Sequence, residues 1–495
     1  MSETSSSQPG SARVEVIGLT EAQIDLSCQV PLLLLFGAGA FWLVFSSVFA
    51  FIASLKFHNP NFLADYAWLT YGRVRPVAND AFLYGFAVPA GIGVGLWILA
   101  RIGRTAMAQP LLVTVGVGLW NIGMLLGVSG ILAGDSTGYE MFEMPRYAAL
   151  FLFLGYMIVA VFGLITFYGR QQRTVFVSQW FIVAAIFWFP WIFITASMLL
   201  LVSPVRGVTQ AVISWWYTGN VIWLWLSLIG LGVLFYMIPR FTRREISGYY
   251  LAAVTFWVLL LAASWIGVPN SAPVPAWLPA ASTVGTVFMG FAILTLILNL
   301  YQSLDGQWSL LKENVILRFA GFGLLAFVVT AALSIVGSIS QVADFTDLTW
   351  YTQGRTVLQT HGFFSMLLFG AIYHIVPQLL DLEMIEGTVP VSVAKLARLN
   401  LWLTGLGVAF LALAFVIGGI IQGVQLNNSK IAFASIITTN TMVARVATIG
   451  DVLILGGNLL FAISLGRLVI QFWKARAAAA YAEATAIIPT AGVKV

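Results

Sequence analysis

Charged side chains are scarce in this sequence of 495 residues, because Asp, Glu, Lys and Arg together make up only 9% of it. A soluble globular domain carries roughly 25% charged residues. Apolar residues make up 60% of the chain instead, and its mean hydropathy is +0.93. A surface with so little charge is suited to lipid rather than to water, which indicates an integral membrane protein.

Cysteine and histidine are also rare. The single cysteine, Cys28, excludes an internal disulfide and any cysteine-based zinc or iron–sulfur site. The only histidines are His58, His361 and His374. Motifs for nucleotide binding or serine hydrolase chemistry are missing, and no basic stripe alternates with aromatic residues. These absences exclude the usual soluble enzymes and give no reason to expect a nucleic-acid partner.

Long apolar runs dominate the rest of the sequence. There are twelve, each near or above the ~20 residues that cross a bilayer. We predict an all-α, polytopic membrane protein with helices at 30–54, 81–100, 107–133, 147–168, 175–202, 209–238, 249–268, 277–301, 316–340, 355–379, 399–421 and 446–470. The expected organisation is a polar cytoplasmic segment at 1–29, a transmembrane domain at 30–472 and a cytoplasmic tail at 473–495.

The basic residues predict the orientation of these helices. With the N-terminus in the cytoplasm, 16 of the 24 Lys and Arg residues fall on the cytoplasmic side and 8 on the other side. Basic residues favour the cytoplasmic side of a membrane. We expect both termini in the cytoplasm and the lipid bilayer of a bacterial inner membrane as the first partner.

Four stretches contain residue types that are unusual in membrane helices. They are YGRVRPVAN at 71–79, WWYTGN at 215–220, GVPNSAPVPAW at 267–277, and YTQGRTV at 351–357, which leads to FGAIYHIVP at 369–377. Together they resemble subunit I of the cbb3-type cytochrome c oxidases, a branch of the haem-copper oxidase superfamily that also includes nitric oxide reductases. The resemblance follows all the predicted helices in order. It implies a twelve-helix bundle that holds two haems and one copper.

The same resemblance locates the six metal-binding histidines of the family, and this sequence has a different residue at each position. The low-spin haem corresponds to positions 78 and 357, the copper to 219, 269 and 270, and the second haem to 355. The residues found there are Ala78, Gly219, Pro269, Asn270, Arg355 and Val357.

Most of these replacements have no side-chain atom that could bind haem iron or copper, and Arg355 stays protonated. The three histidines of the chain cannot rebuild a set of six. We therefore expect no haem b, no copper, no other metal and no catalytic residue. Two alternatives remain open: a four-residue shift would bring His361 onto the last ligand position, and His58 and His361 could share one haem.

His361 and His374 cannot hold one haem between them, because thirteen residues of helix separate them by about 20 Å. His374 is expected at the membrane interface. Arg73 and Arg75 are expected to pair with Asp65 or Asp80, or to contact lipid head groups.

A buried charge in a membrane bundle is costly and tends to be paired. For Arg355 the candidate partners are Asp344, Asp347 and Asp451. The polar residues predicted to line a cavity or to form pairs are Arg73, Arg75, Arg355, His361 and Asp451.

The favoured interpretation is a relative of cbb3-type subunit I that has lost its cofactors and serves as a non-catalytic subunit or scaffold of a respiratory electron-transfer complex. The resemblance implies membrane-anchored c-type cytochrome subunits, or another respiratory complex, as its partners. One alternative is an active terminal oxidase or nitric oxide reductase subunit. Another is a pathway for a small molecule or ion that reuses the emptied haem cavity.

Overall fold

A computed structural model describes residues 19–384 and 389–487, and for 482–487 it describes the backbone alone. The first 18 residues of the predicted N-terminal segment and the last eight of the predicted tail lie outside the described residues. Throughout these ranges the regular structure is helical, as predicted, and no β-strand occurs in them.

Twelve helices form the bundle. Their bounds are α1 Glu21–His58, α2 Tyr71–Gly103, α3 Pro110–Ala133, α4 Arg146–Tyr168, α5 Val177–Val202, α6 Val208–Thr242, α7 Tyr249–Ala263, α8 Trp277–Ser303, α9 Val315–Gly337, α10 Trp350–Leu379, α11 Val391–Leu426 and α12 Phe433–Ile487. Short helical segments at Ala67–Leu69, Leu310–Glu313 and Ser340–Thr346 lie in the connections.

Eleven of these helices are long and apolar enough to cross a membrane. The exception is α7, which has 15 residues and ends at Ala263 rather than at the predicted residue 268. Gly267 has a φ of +136°, and Pro269 follows it. A left-handed glycine and a proline both interrupt helical hydrogen bonding, which explains the early end.

Several helices begin earlier than their apolar runs. Helix α1 starts at Glu21, where Thr20 and Gln23 form a capping box, and α10 starts at Trp350 behind the capping hydroxyl of Thr349. Hydropathy marks the part of a helix that crosses lipid, whereas capping side chains fix where the helical backbone begins. The predicted starts at 30 and 355 were therefore too late.

Three helices, α2, α6 and α10, form the centre of the bundle. In their most apolar windows 94–100% of residues are buried, compared with 39–56% in the other long helices. Each central helix contains a π-helical segment: Ala81–Ala87 in α2, Asn220–Trp225 in α6 and Leu358–Ser365 in α10. A fourth such segment, Ser197–Val202, ends α5. π-helical turns are rare and are frequent at functional sites, which directs attention to the central helices.

The end of the bundle where α1 begins is the N-terminal face, and the other end is the opposite face. At the N-terminal face Arg101 of α2 forms ion pairs with Glu21, at 2.7 Å, and with the buried Asp25, at 3.4 Å. Arg101 also donates to Oε1 of Gln378 in α10, at 2.8 Å, and Trp97 donates to Asp25. These bonds join α1, α2 and α10.

Candidate functional site

Two cavities lie among the central helices, and the larger one, the central cavity, has a volume of about 450 Å³. Its walls come from α6, α8, α9, α10, α11 and the loop after α7. Gly219, Pro269, Asn270 and Arg355 all line it. The structure thus brings together the four positions that the resemblance assigns to the copper and the second haem.

The second cavity, the small cavity, measures only about 70 Å³. Ala78 and Val357, the two positions assigned to the low-spin haem, both line it, together with Arg75, His361 and Asp451. The ring of His361 lies 4.3 Å from that of Phe82. Ala78, Val357 and His361 thus share one cavity, and Arg355 lies with the copper positions at the other.

At the copper position the backbone itself fills the space. A Cβ atom on Gly219 would lie 1.9 Å from the carbonyl oxygen of Ile266, and one on Gly267 would lie 2.5 Å from that of Trp215. Two glycines are needed for α6 and the loop after α7 to approach so closely. Asn220 secures the contact, because its Nδ2 donates to the Ser264 carbonyl at 3.1 Å.

Comparison with known proteins agrees with this arrangement. The family model described as cytochrome C and quinol oxidase polypeptide I matches residues 30–453, which is most of the chain and includes both cavities. The chain belongs to this family.

Curated relatives place the chain beside the cbb3-type members of the family. It is 23% identical over 444 residues to the cytochrome c oxidase subunit 1 homolog of Azorhizobium caulinodans, covering 85% of this chain and 78% of that protein. It is 23% identical over 374 residues to the cbb3-type cytochrome c oxidase subunit CcoN1 of Stutzerimonas stutzeri, covering 73% and 77%.

A solved structure shows the same fold. A haem-copper terminal oxidase dimer, determined by cryo-EM, has a chain that superimposes with a TM-score of 0.68 at 15% identity. The match covers 89% of this chain and 84% of that chain. The predicted haem-copper oxidase subunit I-like bundle is therefore confirmed.

The family's haem can be tested against the small cavity. Ala78 and Val357 offer no donor atom, and His361 lies on the same helix as Val357 with no histidine opposite it. Pockets for drug-sized ligands measure roughly 300–1,000 Å³, far more than this cavity. Neither the donors nor the space fit a haem.

His58 does not bring a second imidazole to this cavity. Its Nε2 lies 3.1 Å from the hydroxyl of Thr448, and His58 is not part of the cavity lining. The predicted alternative of a His58–His361 pair therefore has no geometric support. Groups of three or more His, Cys, Asp or Glu side chains that could hold a metal ion do not occur among the described residues.

Arg355 lies between aromatic rings on the wall of the central cavity. Its guanidinium carbon is 5.4 Å from the ring centre of Tyr351 and 5.9 Å from that of Trp223. Its buried Nε has no hydrogen-bond partner, and no ion pair to an aspartate forms within the described ranges. Asp347, an expected partner, accepts instead from Ser271. Cation–π contacts take the place of the predicted pairing.

The other two predicted arginines bind neutral groups. Arg73 donates to the carbonyl of Leu132 at 2.9 Å, and Arg75 donates to Oε1 of Gln353 at 3.4 Å. Neither forms an ion pair with Asp65 or Asp80 in the part of the chain described. Arg75 joins His361 and Asp451 at the small cavity, whereas Arg73 lies apart from both cavities.

Sequence reasoning missed a pair of buried carboxyl groups, Asp80 and Glu143. Asp80 is fully buried, and neither of its carboxyl oxygens has a hydrogen-bond partner. Glu143 lies beside it in the loop before α4 and accepts from Asn79 at 3.5 Å. Burial raises the pKa of Glu143 to about 7. No pattern in the sequence indicated that Glu143, in the loop between α3 and α4, folds inward.

The π-helical segments supply free backbone acceptors near both cavities. A π turn interrupts the regular ladder of backbone bonds, so its carbonyl groups can accept from side chains. In α2 the Tyr84 carbonyl accepts from Trp120 of α3, at 2.7 Å. In α6 the Ile222 carbonyl accepts from Gln359 of α10, at 3.1 Å. In α10 the Thr360 carbonyl accepts from Ser365, at 2.9 Å.

Proposed function

We propose that this protein is a non-catalytic, cofactor-free relative of cbb3-type oxidase subunit I that serves as a membrane subunit or scaffold of a respiratory electron-transfer complex. The observation that carries the proposal is the closed copper position: the Ile266 carbonyl lies where the Cβ of any residue larger than glycine at position 219 would be. The lack of a ligand side chain at Ala78 and Val357 in the small cavity supports it. An active oxidase or nitric oxide reductase would need ligands that these positions do not supply.

The partner class is part of the same proposal. Membrane-anchored c-type cytochrome subunits, or another respiratory complex, would dock on the preserved twelve-helix surface. The N-terminal face would point to the cytoplasm of a bacterium, with both termini inside, because this topology assigns 16 of the 24 basic residues to the cytoplasmic side.

Purification of the full-length protein from its native membrane tests the proposal. Visible spectra of the reduced and oxidised protein should lack a Soret band and an α-band from haem b, and elemental analysis should find less than stoichiometric iron and copper. Cytochrome c subunits should co-purify. Stoichiometric haem b or copper bound to this polypeptide would refute the cofactor-free assignment and favour the alternative of an active oxidase.

The central cavity favours a second candidate function, a binding site or pathway for a small polar molecule or ion. Its volume of about 450 Å³ is in the range of ligand pockets, and Arg355 lines it with a guanidinium whose Nε has no hydrogen-bond partner. Arg355→Met should abolish any thermal stabilisation of the protein by small carboxylates or inorganic anions. Equal stabilisation of the wild type and this variant would contradict a role for the cavity.

A further inference from the structure

A third cavity, of about 660 Å³, opens at the N-terminal face and is separate from both core cavities. It lies where α6 and α10 end and where α9 and α11 begin. Four arginines line it: Arg240, Arg243, Arg318 and Arg398. Glu313 is the one acidic residue among its described lining, so positive charge is in excess. We refer to it as the arginine cavity.

The arginines of this cavity lack carboxylate partners in the described part of the chain. The only ion pairs there belong to Arg101, and Arg318 is bonded to the backbone carbonyl of Lys312. Four guanidinium groups around one concavity repel one another unless an anion lies between them. The arrangement indicates a ligand with more than one negative charge.

His374 adds a directed donor to the same cavity. It is 3% exposed, and its Nδ1 has no hydrogen-bond partner. The protonation of the ring follows from Gln378. Arg101 can only donate, so it fixes Oε1 of Gln378 towards itself and turns the Gln378 amide nitrogen towards Nε2 of His374, at 2.9 Å.

An amide nitrogen can only donate as well, so Nε2 of His374 must accept. The imidazole then carries its proton on Nδ1, which is left as a buried N–H without an acceptor. Buried N–H groups without a hydrogen-bond acceptor are rare in proteins, because the lost hydrogen bond to water is not replaced and the folded state is destabilised. An anionic oxygen in the arginine cavity would supply the acceptor. The ring of His374, near the end of α10 at the N-terminal face, is enclosed rather than solvated.

We propose that the arginine cavity binds a phosphate-bearing anion, either a phospholipid head group or a free phosphate compound. A guanidinium group binds a phosphate group through two parallel N–H···O hydrogen bonds. The cavity lies at the ends of membrane helices, at the level where lipid phosphates are found, and its volume suits a ligand of head-group size. The proposal does not depend on the presence or absence of haem.

Lipid-depleted, full-length protein in neutral detergent provides the test. The probes are phosphatidylglycerol, phosphatidylcholine as the neutral lipid, and pyrophosphate as the free phosphate compound, with binding measured by native mass spectrometry. Phosphatidylglycerol or pyrophosphate should bind to the wild type in preference to phosphatidylcholine. Arg240→Gln with Arg398→Gln, both at exposed positions, should weaken that binding by about 30-fold.

A matched control removes the same charge from the opposite face. Arg206→Gln with Lys430→Gln changes two exposed cations there and should alter binding less than about twofold. Competition by pyrophosphate would show that free phosphates enter the site, and binding of the lipid alone would identify a head group as the ligand. The proposal fails if neither anion is preferred over phosphatidylcholine, or if both double variants weaken binding equally.

Discussion

Alanine at position 219 should destabilise the protein, although alanine is the best helix former. The added Cβ would lie 1.9 Å from the Ile266 carbonyl oxygen, a contact that requires the loop backbone to move by more than 1 Å. Relief of this contact would require the loop to move away from α6, which would strain the hydrogen bond from Asn220 to the Ser264 carbonyl. Overpacking costs about 1–3 kcal/mol, and a backbone contact belongs at the upper end of this range.

The intrinsic helix preference of alanine over glycine offsets about 1 kcal/mol of that cost. We therefore expect Gly219→Ala to lower the free energy of unfolding by about 2 kcal/mol. The 18 tryptophans make intrinsic fluorescence a suitable probe of thermal unfolding in detergent. Gly118→Ala is the matched control, because a Cβ there meets nothing within 4 Å, and it should unfold at or above the wild-type temperature.

Equal melting temperatures for the two alanine variants would refute the close approach of α6 and the loop. The same reasoning extends to the family's own residue at this position. Gly219→His should be less stable than Gly219→Ala and should not acquire copper, since the imidazole has no space beyond the Ile266 carbonyl. A folded histidine variant that binds copper would contradict this account.

Three further results are expected. The folded-state pKa of Glu143 is about 7, compared with an ordinary value of 4.5. The free energy of unfolding should therefore be greatest below about pH 4.5, fall by about 3 kcal/mol as the pH rises to about 7, and then level off. In thermal melts, Glu143→Gln should flatten this dependence. Arg101→Met leaves the buried Asp25 unpaired and should cost about 3–5 kcal/mol in the same assay, most of which Asp25→Asn should restore. Ala78→His with Val357→His should take up no haem in pyridine haemochrome assays, because the small cavity of about 70 Å³ does not admit a porphyrin.

The first two of these predictions each have a matched control substitution elsewhere in the chain. Asp135→Asn, in the same loop as Glu143, should keep the pH dependence of the wild type. Glu21→Gln removes the exposed partner of Arg101 and should cost less than about 1 kcal/mol. The inference about Glu143 is contradicted if the pH dependence persists in Glu143→Gln. The inference about Arg101 is contradicted if Arg101→Met is as stable as the wild type, and the one about the small cavity if the double histidine variant binds stoichiometric haem.

The fold could be predicted from the sequence because hydropathy identifies the segments that cross a membrane and the order of the motifs identifies the family. The twelve apolar runs correspond to the twelve helices, and the ligand positions at 78, 219 and 355 fall on the three central ones. Within α10, Arg355 lines the central cavity, whereas Val357 and His361 line the small one.

The interior chemistry was harder to predict because it depends on which side chains meet. Arg355 was expected to find an aspartate and lies among aromatic rings instead. Asp80 was considered as a partner of an arginine and lies beside the buried Glu143 instead. Each outcome depends on the tertiary path of a neighbouring segment, which no local pattern in the sequence specifies.

The side-chain bonds to the π-helical segments have a consequence for how the central helices are held together. A metal centre would link central helices through its ligands, and here Gln359 links α10 to α6 while Trp120 fastens α3 to α2, each through a backbone oxygen. Those links need no prosthetic group, no redox chemistry and no assembly factor to load one. Central helices joined in this way are held by hydrogen bonds that form when the chain itself folds.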